Sequence, residues 1–406
     1  MRKEICVASE TGCLRRVLLH RPGAEMEHLL PRQLGDMLFE DIPWAARMAE
    51  EHDAFAAALR SCGAEVLYLS DLLRDVLADN ALAAAFADEV LASEVGREEE
   101  EISRLRALFL AADAETRAAY AVCGVLPRQV PGRPPRLADY LEIEPSHLLD
   151  PLPNLYFMRD PAAVVGRGVV LSAMNTQARQ REARLLALIF RHHPAFAGLP
   201  LLYDNSRCRM PIEGGDVLVL SPQAVAVGCS ARTNLHAIDY LARRLLAADA
   251  ATGVRTVLAV EIPQERAFMH LDTVMTMVDA ESFLVYPHVV ERVNVVAIMR
   301  GAQGGLSYRR CRDIRSALAD ALGLPDVRLI LSGGGDARIA AREQWNDATN
   351  TLAVAPGKVI VYNRNTVSNR CLRQAGIETI EIEGSELVRG RGGPRCMSMP
   401  LLRDPL

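Results

Sequence analysis

The sequence predicts a mixed α/β protein in which a repeated strand, strand and helix unit is set in a ring about a central site, with a helical insertion interrupting the ring. Three observations carry that expectation. Period-2 apolar runs flank a helical stretch near the start, strand signals vanish from about Arg74 to Gly124, and beyond Pro151 a unit of polar turn, paired β-runs and helix-patterned stretch recurs.

In chain order, RVLLHRP from Arg16 and AEVLYLSDLL from Ala64 alternate as half-buried strands do. Between them Ile42 to Leu59 reads as a helix, with Pro43 near its first turn, where a missing N–H costs nothing. This is a β-α-β opening. Alanine, leucine, glutamate and arginine then dominate, and EEEEISRLRALFLAAD keeps helical spacing. The four prolines of VLPRQVPGRPPRLADYL break that pattern. We therefore divide the chain into residues 1–73 and 149–406, forming one α/β body, and 74–148, a helical insertion.

The recurring units are RDPAAVVGRGVVLSAMN, EGGDVLVLSPQAVAVGCS, HLDTVMTMVDAESFLVYP and NDATNTLAVAPGKVIVYNRN. Their turn residues Asp160, Glu213, His270 and Asn346 return at intervals of roughly 50 to 75 residues, a spacing typical of repeat architectures. The polar group stands at the start of each hairpin, so units arranged about an axis would aim all of these groups at one place. A ring is expected ahead of an open doubly wound sheet.

With 406 residues, 50% of them hydrophobic and 24% charged, the chain can bury a full core. A net charge of −5 gives no electrostatic attraction for nucleic acid or an anionic membrane. The nine cysteines are odd in number and never spaced C-x-x-C, which argues against a disulfide framework or zinc finger and for a reducing, cytoplasmic setting. Neither a signal-peptide h-region nor an apolar run of spanning length is present, so a soluble intracellular protein is expected.

Several residues are candidates for chemistry. Cys396 follows three arginines and three glycines in RGRGGPRC; it reads either as a small buried hydrophobe or as a thiolate stabilised by nearby positive charge. His270 and Asp272, two apart in an expected strand, would face one side. Glu213 and Asp216 bracket two glycines, as in a plain hairpin turn or a close backbone approach to a ligand. Asp160 precedes a proline that biases it to extended backbone, with Asn154 six residues back; the alternative is an ordinary loop. Arg179 and Arg232 stand at helix starts, as solvated charges or as carboxylate-binding forks. Several carboxylates, an imidazole and a thiol call for a cationic ligand. Two carboxylates around a flat cation with N–H donors suit a guanidinium, whose carbon the thiol could attack.

GCLRRVLLHRPGAEMEHLLP, LFEDIPW, NLYFMRDP, IEGGDV, FMHLDTV, EQWNDATNTLAVAPG and RGRGGPRCMSMPL, in this order, resemble the arginine deiminase family of the guanidino-modifying superfamily over nearly the whole chain. The resemblance implies a five-bladed α/β-propeller with a helical domain, and hydrolysis of L-arginine to L-citrulline and ammonia through a covalent thiouronium. It implies Cys396 as nucleophile, His270 as general acid and base, and Asp160 and Asp272 as the guanidinium-holding pair, with Glu213 supporting the histidine. It also implies that Asn154, Arg179 and Arg232 grip the amino-acid end of the substrate, that Asp216 is a further acidic position, and that Arg391 is a mobile arginine near the thiol. No cofactor or metal is expected, and the partner is L-arginine, with a homo-oligomer, dimer or tetramer, implied by the same likeness. Met158 and Met275 depart from the family's usual threonine or phenylalanine, which bears on pocket shape.

Overall fold

β1 (Leu14–Leu19) pairs in parallel with β2 (Glu65–Tyr68), and parallel neighbours need a long crossover, here containing the helix Ala45–Ser61. The computed structural model describes residues 4–92, 98–135, 137, 140, 147–247, 252–265, 267–290, 292–302 and 304–406. The expected β-α-β opening is present. However, β2 ends at Tyr68, and Leu69 opens a helix where the sequence pattern had continued the strand to Leu73. Leu69, Leu72, Leu73, Val76 and Leu77 explain the difference, because their spacing places them on one buried helical face.

The other strands follow one plan. β3 (Ala162–Val165) and β4 (Gly168–Leu171) are antiparallel; after the helix Gln180–His192, β5 (Leu201–Tyr203) lies parallel to β4. β6 (Val217–Ser221), β7 (Ala224–Cys229), the helix Leu235–Leu245 and β8 (Thr256–Glu261) repeat it. So do β9 (Met275–Asp279), β10 (Ser282–Val285), the helix Ile314–Leu322 and, numbered after an intervening hairpin, β13 (Arg328–Leu331). That hairpin, β11 (Asn294–Arg300) and β12 (Leu306–Arg310), was not foreseen in the sequence pattern; it extends the β6–β8 sheet to five strands. A fourth copy is β14 (Leu352–Ala355), β15 (Lys358–Tyr362), the helix Thr366–Gln374 and β16 (Glu378–Ile382).

The fifth sheet is assembled from both ends of the sequence. β17 (Met399–Arg403) runs antiparallel to β1, with Leu18 opposite Met399 and Val17 opposite Pro400. The order β17–β1–β2 thus reproduces the plan of the other sheets. β3, β4 and β10 are buried along their whole length, as expected for strands covered on both faces, whereas β12 is largely exposed.

Helices Leu69–Leu77, Asn80–Leu91, Glu99–Ala111 and Ala114–Cys123 lie between β2 and β3, where the helical insertion is expected; residues 93–97, 136, 138, 139 and 141–146 of the expected segment lie outside the described residues. Phe86 and Phe109 of these helices belong to the same buried cluster as Val164, Val225 and Leu401 of the sheets. The buried Arg117 guanidinium donates to the carbonyls of Leu77 (2.9 Å), Leu110 (2.7 Å) and Phe109 (3.3 Å), satisfying carbonyls that helix ends leave without partners. Among the described residues no helix is long and apolar enough to cross a membrane.

Leu401 is fully buried on the closing strand β17. Leu401→Ala is expected to cost about 2–5 kcal/mol through lost burial and a residual cavity, seen as a lower urea midpoint with an unchanged slope.

Candidate active site

Each chemical side chain of the site stands just ahead of the first strand of a sheet unit. Asp160 precedes β3, Glu213 and Asp216 precede β6, His270 and Asp272 precede β9, Asn350 precedes β14, and Cys396 precedes β17. Short 3-10 turns make two of these approaches, Gly214–Asp216 and Leu271–Thr273. The strand expected around His270 and Asp272 is therefore a turn. His270 is extended at φ −139° and Asp272 lies inside the turn, so the two side chains find different partners rather than sharing a strand face. In the fourth unit the turn residue that matters is Asn350 rather than Asn346. Asn346 donates to the Arg342 carbonyl, whereas Asn350 Oδ1 accepts the Cys396 N–H at 2.9 Å and its Nδ2 donates to the Asp272 carbonyl at 3.2 Å.

Cys396 is buried, and its thiol donates toward Asp272 Oδ2 at 3.6 Å. His270 Nε2 meets Glu213 Oε2 at 2.8 Å, and its Nδ1 lies 3.7 Å from Asp160 Oδ1. Gly215 packs beneath this ring. A Cβ there would fall 2.7 Å from His270 Cγ and 2.9 Å from Asp160 Oδ1, so the chain can pass here only without a side chain.

The two aspartates are held in matching ways. Asp160 Oδ2 accepts from Arg179 Nη1 at 2.6 Å, and Arg179 is itself forked onto Glu182, Nη2 to Oε2 at 2.8 Å. Asp272 Oδ2 accepts from Arg395 Nη1 at 2.7 Å, and Arg395 is forked onto Glu10, Nε to Oε2 at 3.0 Å and Nη2 to Oε1 at 3.2 Å. In both aspartates the other oxygen, Oδ1, is buried and accepts no hydrogen bond among the described residues. Buried carboxylate oxygens are ordinarily paired, so this arrangement suits a cation with several N–H groups.

Charge sets the protonation of the two reactive groups. Burial opposes the His270 imidazolium, but Asp160, the hydrogen bond to Glu213 and the charge of Asp216 outweigh it, and the imidazole pKa is raised to about 9. Burial likewise opposes the Glu213 carboxylate; His270, Arg232 and Arg179 outweigh it and hold its pKa at about 2. The Cys396 thiol is pushed well above its usual value by burial and then by Asp272, Asp160 and Asp347, with Arg395 pulling the other way. Before a cation arrives, the site therefore pairs a thiol with an imidazolium.

Three expected positions have surroundings that the sequence did not indicate. Arg391, expected beside the thiol, stacks its guanidinium 3.7 Å over the Trp345 ring from a left-handed backbone conformation, and the guanidinium acting on Cys396 is that of Arg395. Arg179, expected to grip a substrate carboxylate, spends its donors on Asp160, Glu182 and the Asn154 carbonyl, leaving one Nη1 hydrogen. Asp216 Oδ1 accepts the Leu271 N–H at 2.8 Å and Oδ2 the Ser230 hydroxyl at 2.7 Å, which anchors the turn carrying His270. Burial raises its pKa to about 7.

Asn154 is buried near Arg179, with Nδ2 donating to the Met37 carbonyl at 2.6 Å. Arg232 Nη1 reaches Thr176 Oγ1 at 3.1 Å and Glu213 Oε1 at 3.9 Å, so it remains a cation at the site with a weaker commitment to acids than Arg179. Sequence reasoning missed Glu10, Glu182, Asn350 and Arg395. Of these only Arg395, beside Cys396 in RGGPRC, carried a signal. Donor atoms of Asp160, Glu213 and His270 lie within 4.8 Å of one another, close enough to share a cation.

SxtG, an amidinotransferase from Microseira wollei, superposes with a TM-score of 0.55 at 14% identity, covering 99% of this chain and 98% of that one. A mutant of AgrE in binary complex with L-arginine superposes at 0.56 and 15% identity over 97% of this chain, which spans only 41% of that longer protein. The mixed α/β fold is thus shared with both of these proteins. At the sequence level, the family described as Arginine deiminase matches residues 35–403, and the arginine deiminase of Staphylococcus aureus (strain MRSA252) is 43% identical over 99% of both chains. The chain belongs to the arginine deiminase family.

Because the folded pKa of His270 lies above its unfolded value, its contribution to stability is complete below about pH 6.5 and fades as pH rises through about 9. NMR of the His270 ring should show an inflection near pH 9. Glu213→Gln should move that inflection down by at least about one unit by removing one hydrogen-bonded counter-charge.

Proposed function

We infer that the protein hydrolyses L-arginine to L-citrulline and ammonia through a covalent intermediate on Cys396. The observation that carries this reading is the pair of buried aspartates, each presenting one uncommitted oxygen, placed around a thiol and an imidazolium. The family membership and the full-length likeness to a curated arginine deiminase support it independently.

The guanidinium of the substrate donates N–H groups to Asp160 Oδ1 and Asp272 Oδ1, and its positive charge lowers the Cys396 pKa so that the thiol proton is lost to solvent and the thiolate forms. Sγ then attacks the guanidinium carbon to give a tetrahedral adduct whose nitrogens stay bonded to the aspartates. His270 delivers its proton from Nδ1, the nitrogen not held by Glu213, and ammonia leaves an S-alkylthiouronium. The neutral imidazole next takes a proton from water, whose oxygen adds to the same carbon. Collapse of the second adduct breaks the C–S bond as its hydroxyl proton is released, giving citrulline and the thiolate, which takes up a proton again once citrulline has left.

Arg232 is the cation we assign to the α-carboxylate of the substrate, with Asn154 beside the same end. Arg179, whose donors face acids, serves chiefly to hold Asp160. Asp216 secures the His270 turn, and Arg391 closes over the site from its stack on Trp345. We further propose that the five sheets are the blades of a five-bladed α/β-propeller, divided as 1–73, 74–148 and 149–406, supported by the repeated strand plan and the closure of β17 on β1. A cytoplasmic homo-oligomer is proposed from family likeness and the reduced cysteines.

Cys396→Ser should lose citrulline formation while keeping its circular dichroism spectrum, because a hydroxyl is a poor nucleophile at neutral pH. Acid quenching of the wild-type enzyme during turnover should add an arginine-derived mass to the Cys396 peptide, and retained citrulline production by the serine variant would refute the assignment. Arg232→Ala should raise KM for L-arginine by about 10-fold or more while changing agmatine turnover far less, since agmatine lacks the carboxylate.

A further inference from the structure

Glu10 and Arg395 take no part in the covalent scheme, yet they form a buried ion pair immediately behind the nucleophile. Arg395 is 1% exposed and sits next to Cys396 in the chain. Besides its contacts to Glu10 and Asp272, its Nη2 donates to the Val217 carbonyl at 2.8 Å, and Glu10 Oε1 accepts the Val219 N–H at 3.1 Å. Both members are thereby pinned to β6. Asp272 Oδ2, the oxygen gripped by Arg395, is also the atom to which the thiol points.

Simple neutralisation of Asp272 would explain an arginine here but not its geometry. Arg395 fills one Asp272 oxygen and leaves the other for a ligand, the same division that Arg179 imposes on Asp160. Each arginine is in turn forked onto a glutamate. The duplication points to a device for presenting an aspartate in one orientation. A second consequence follows from charge. Cys396 is faced by Asp272, Asp160 and Asp347, by the phenols of Tyr156 and Tyr362, and, through Asp160, by His270. Arg395 faces Glu10, Asp272, and the buried Arg159 and Arg403. It is therefore a resident cation that offsets the acids around the sulfur.

We propose that Arg395 and Glu10 are positioning residues for this reaction: Arg395 presents Asp272 Oδ1 to the substrate and supplies positive charge beside Cys396 Sγ, while Glu10 orients Arg395 and moderates that charge. The proposal rests on Cys396 being the nucleophile, as inferred above. It makes predictions of opposite sign for two substitutions that would both merely weaken a structural ion pair.

Alkylation of Cys396 by iodoacetamide, followed at pH 8 by peptide mass mapping in the absence of substrate, reads the thiolate fraction directly. Arg395→Met should slow alkylation by about 10-fold or more, and Glu10→Gln should speed it by about 3- to 10-fold, a tenfold change corresponding to one pKa unit. Arg395→Lys keeps the charge but loses the fork; it should alkylate within about 3-fold of wild type while kcat falls by about 10-fold or more. If Arg395→Met does not fold, Glu10→Gln and Arg395→Lys decide the matter. An unchanged or slower alkylation in Glu10→Gln, or unimpaired kcat in Arg395→Lys, overturns the proposal. Failure of the wild-type protein to form citrulline from arginine would instead overturn the assigned activity, and the alkylation series is read independently of turnover.

Discussion

Stripping water from a carboxylate is costly, and this site does it to two aspartates at once. The cost is tolerable because each keeps one oxygen on a buried guanidinium that is balanced by a glutamate, Arg179 with Glu182 and Arg395 with Glu10. Those pairs fix the aspartates by geometry as well as charge, since a forked guanidinium admits few orientations. The rest of the frame serves to bring these groups from distant parts of the chain to one centre. Five sheets built on one plan, each entered by a polar turn, place every reactive residue at an equivalent point of its unit.

The electrostatics of the centre fit a cationic substrate more closely than they fit a permanently reactive cysteine. Acids surround the sulfur, so the thiolate is disfavoured until another positive charge enters. The same acids keep His270 charged. In the proposed scheme that charge supplies the proton for a leaving nitrogen, and substrate binding and nucleophile activation are coupled through one set of carboxylates. Two of the three arginines in the local run RGRGGPRC are directed elsewhere, Arg389 to Glu386 and Asp41 and Arg391 onto the Trp345 ring, while Arg395 stays beside the sulfur.

Much of the frame was legible in the sequence because strand period and helix period are local properties. The hairpins from Ala162, Val217, Met275 and Leu352 were all visible as paired apolar runs, and so was the polar residue before the first three; in the fourth the pattern marked Asn346, four residues short of Asn350. Asp160, Glu213, His270, Asp272 and Cys396 do converge. Where local reading failed, spacing was ambiguous or the partner was remote. A two-residue interval fits a strand face as well as the turn at Leu271–Thr273. Glu10 lies 385 positions from Arg395, in a segment with no pattern that marks it, and only folding reveals that they meet. Arg179 poses a similar ambiguity, because a lone arginine at a helix start does not announce its neighbours, here Asp160 and Glu182.

The pairing of β17 with β1 also bears on how the molecule matures. During synthesis every acid of the site and the imidazole emerge before Cys396, whose short strand β17 then pairs with β1, made hundreds of residues earlier. On the proposed assignment, a growing polypeptide carries the clamping carboxylates before it carries the attacking atom, and the centre is complete only once β17 has zipped onto β1.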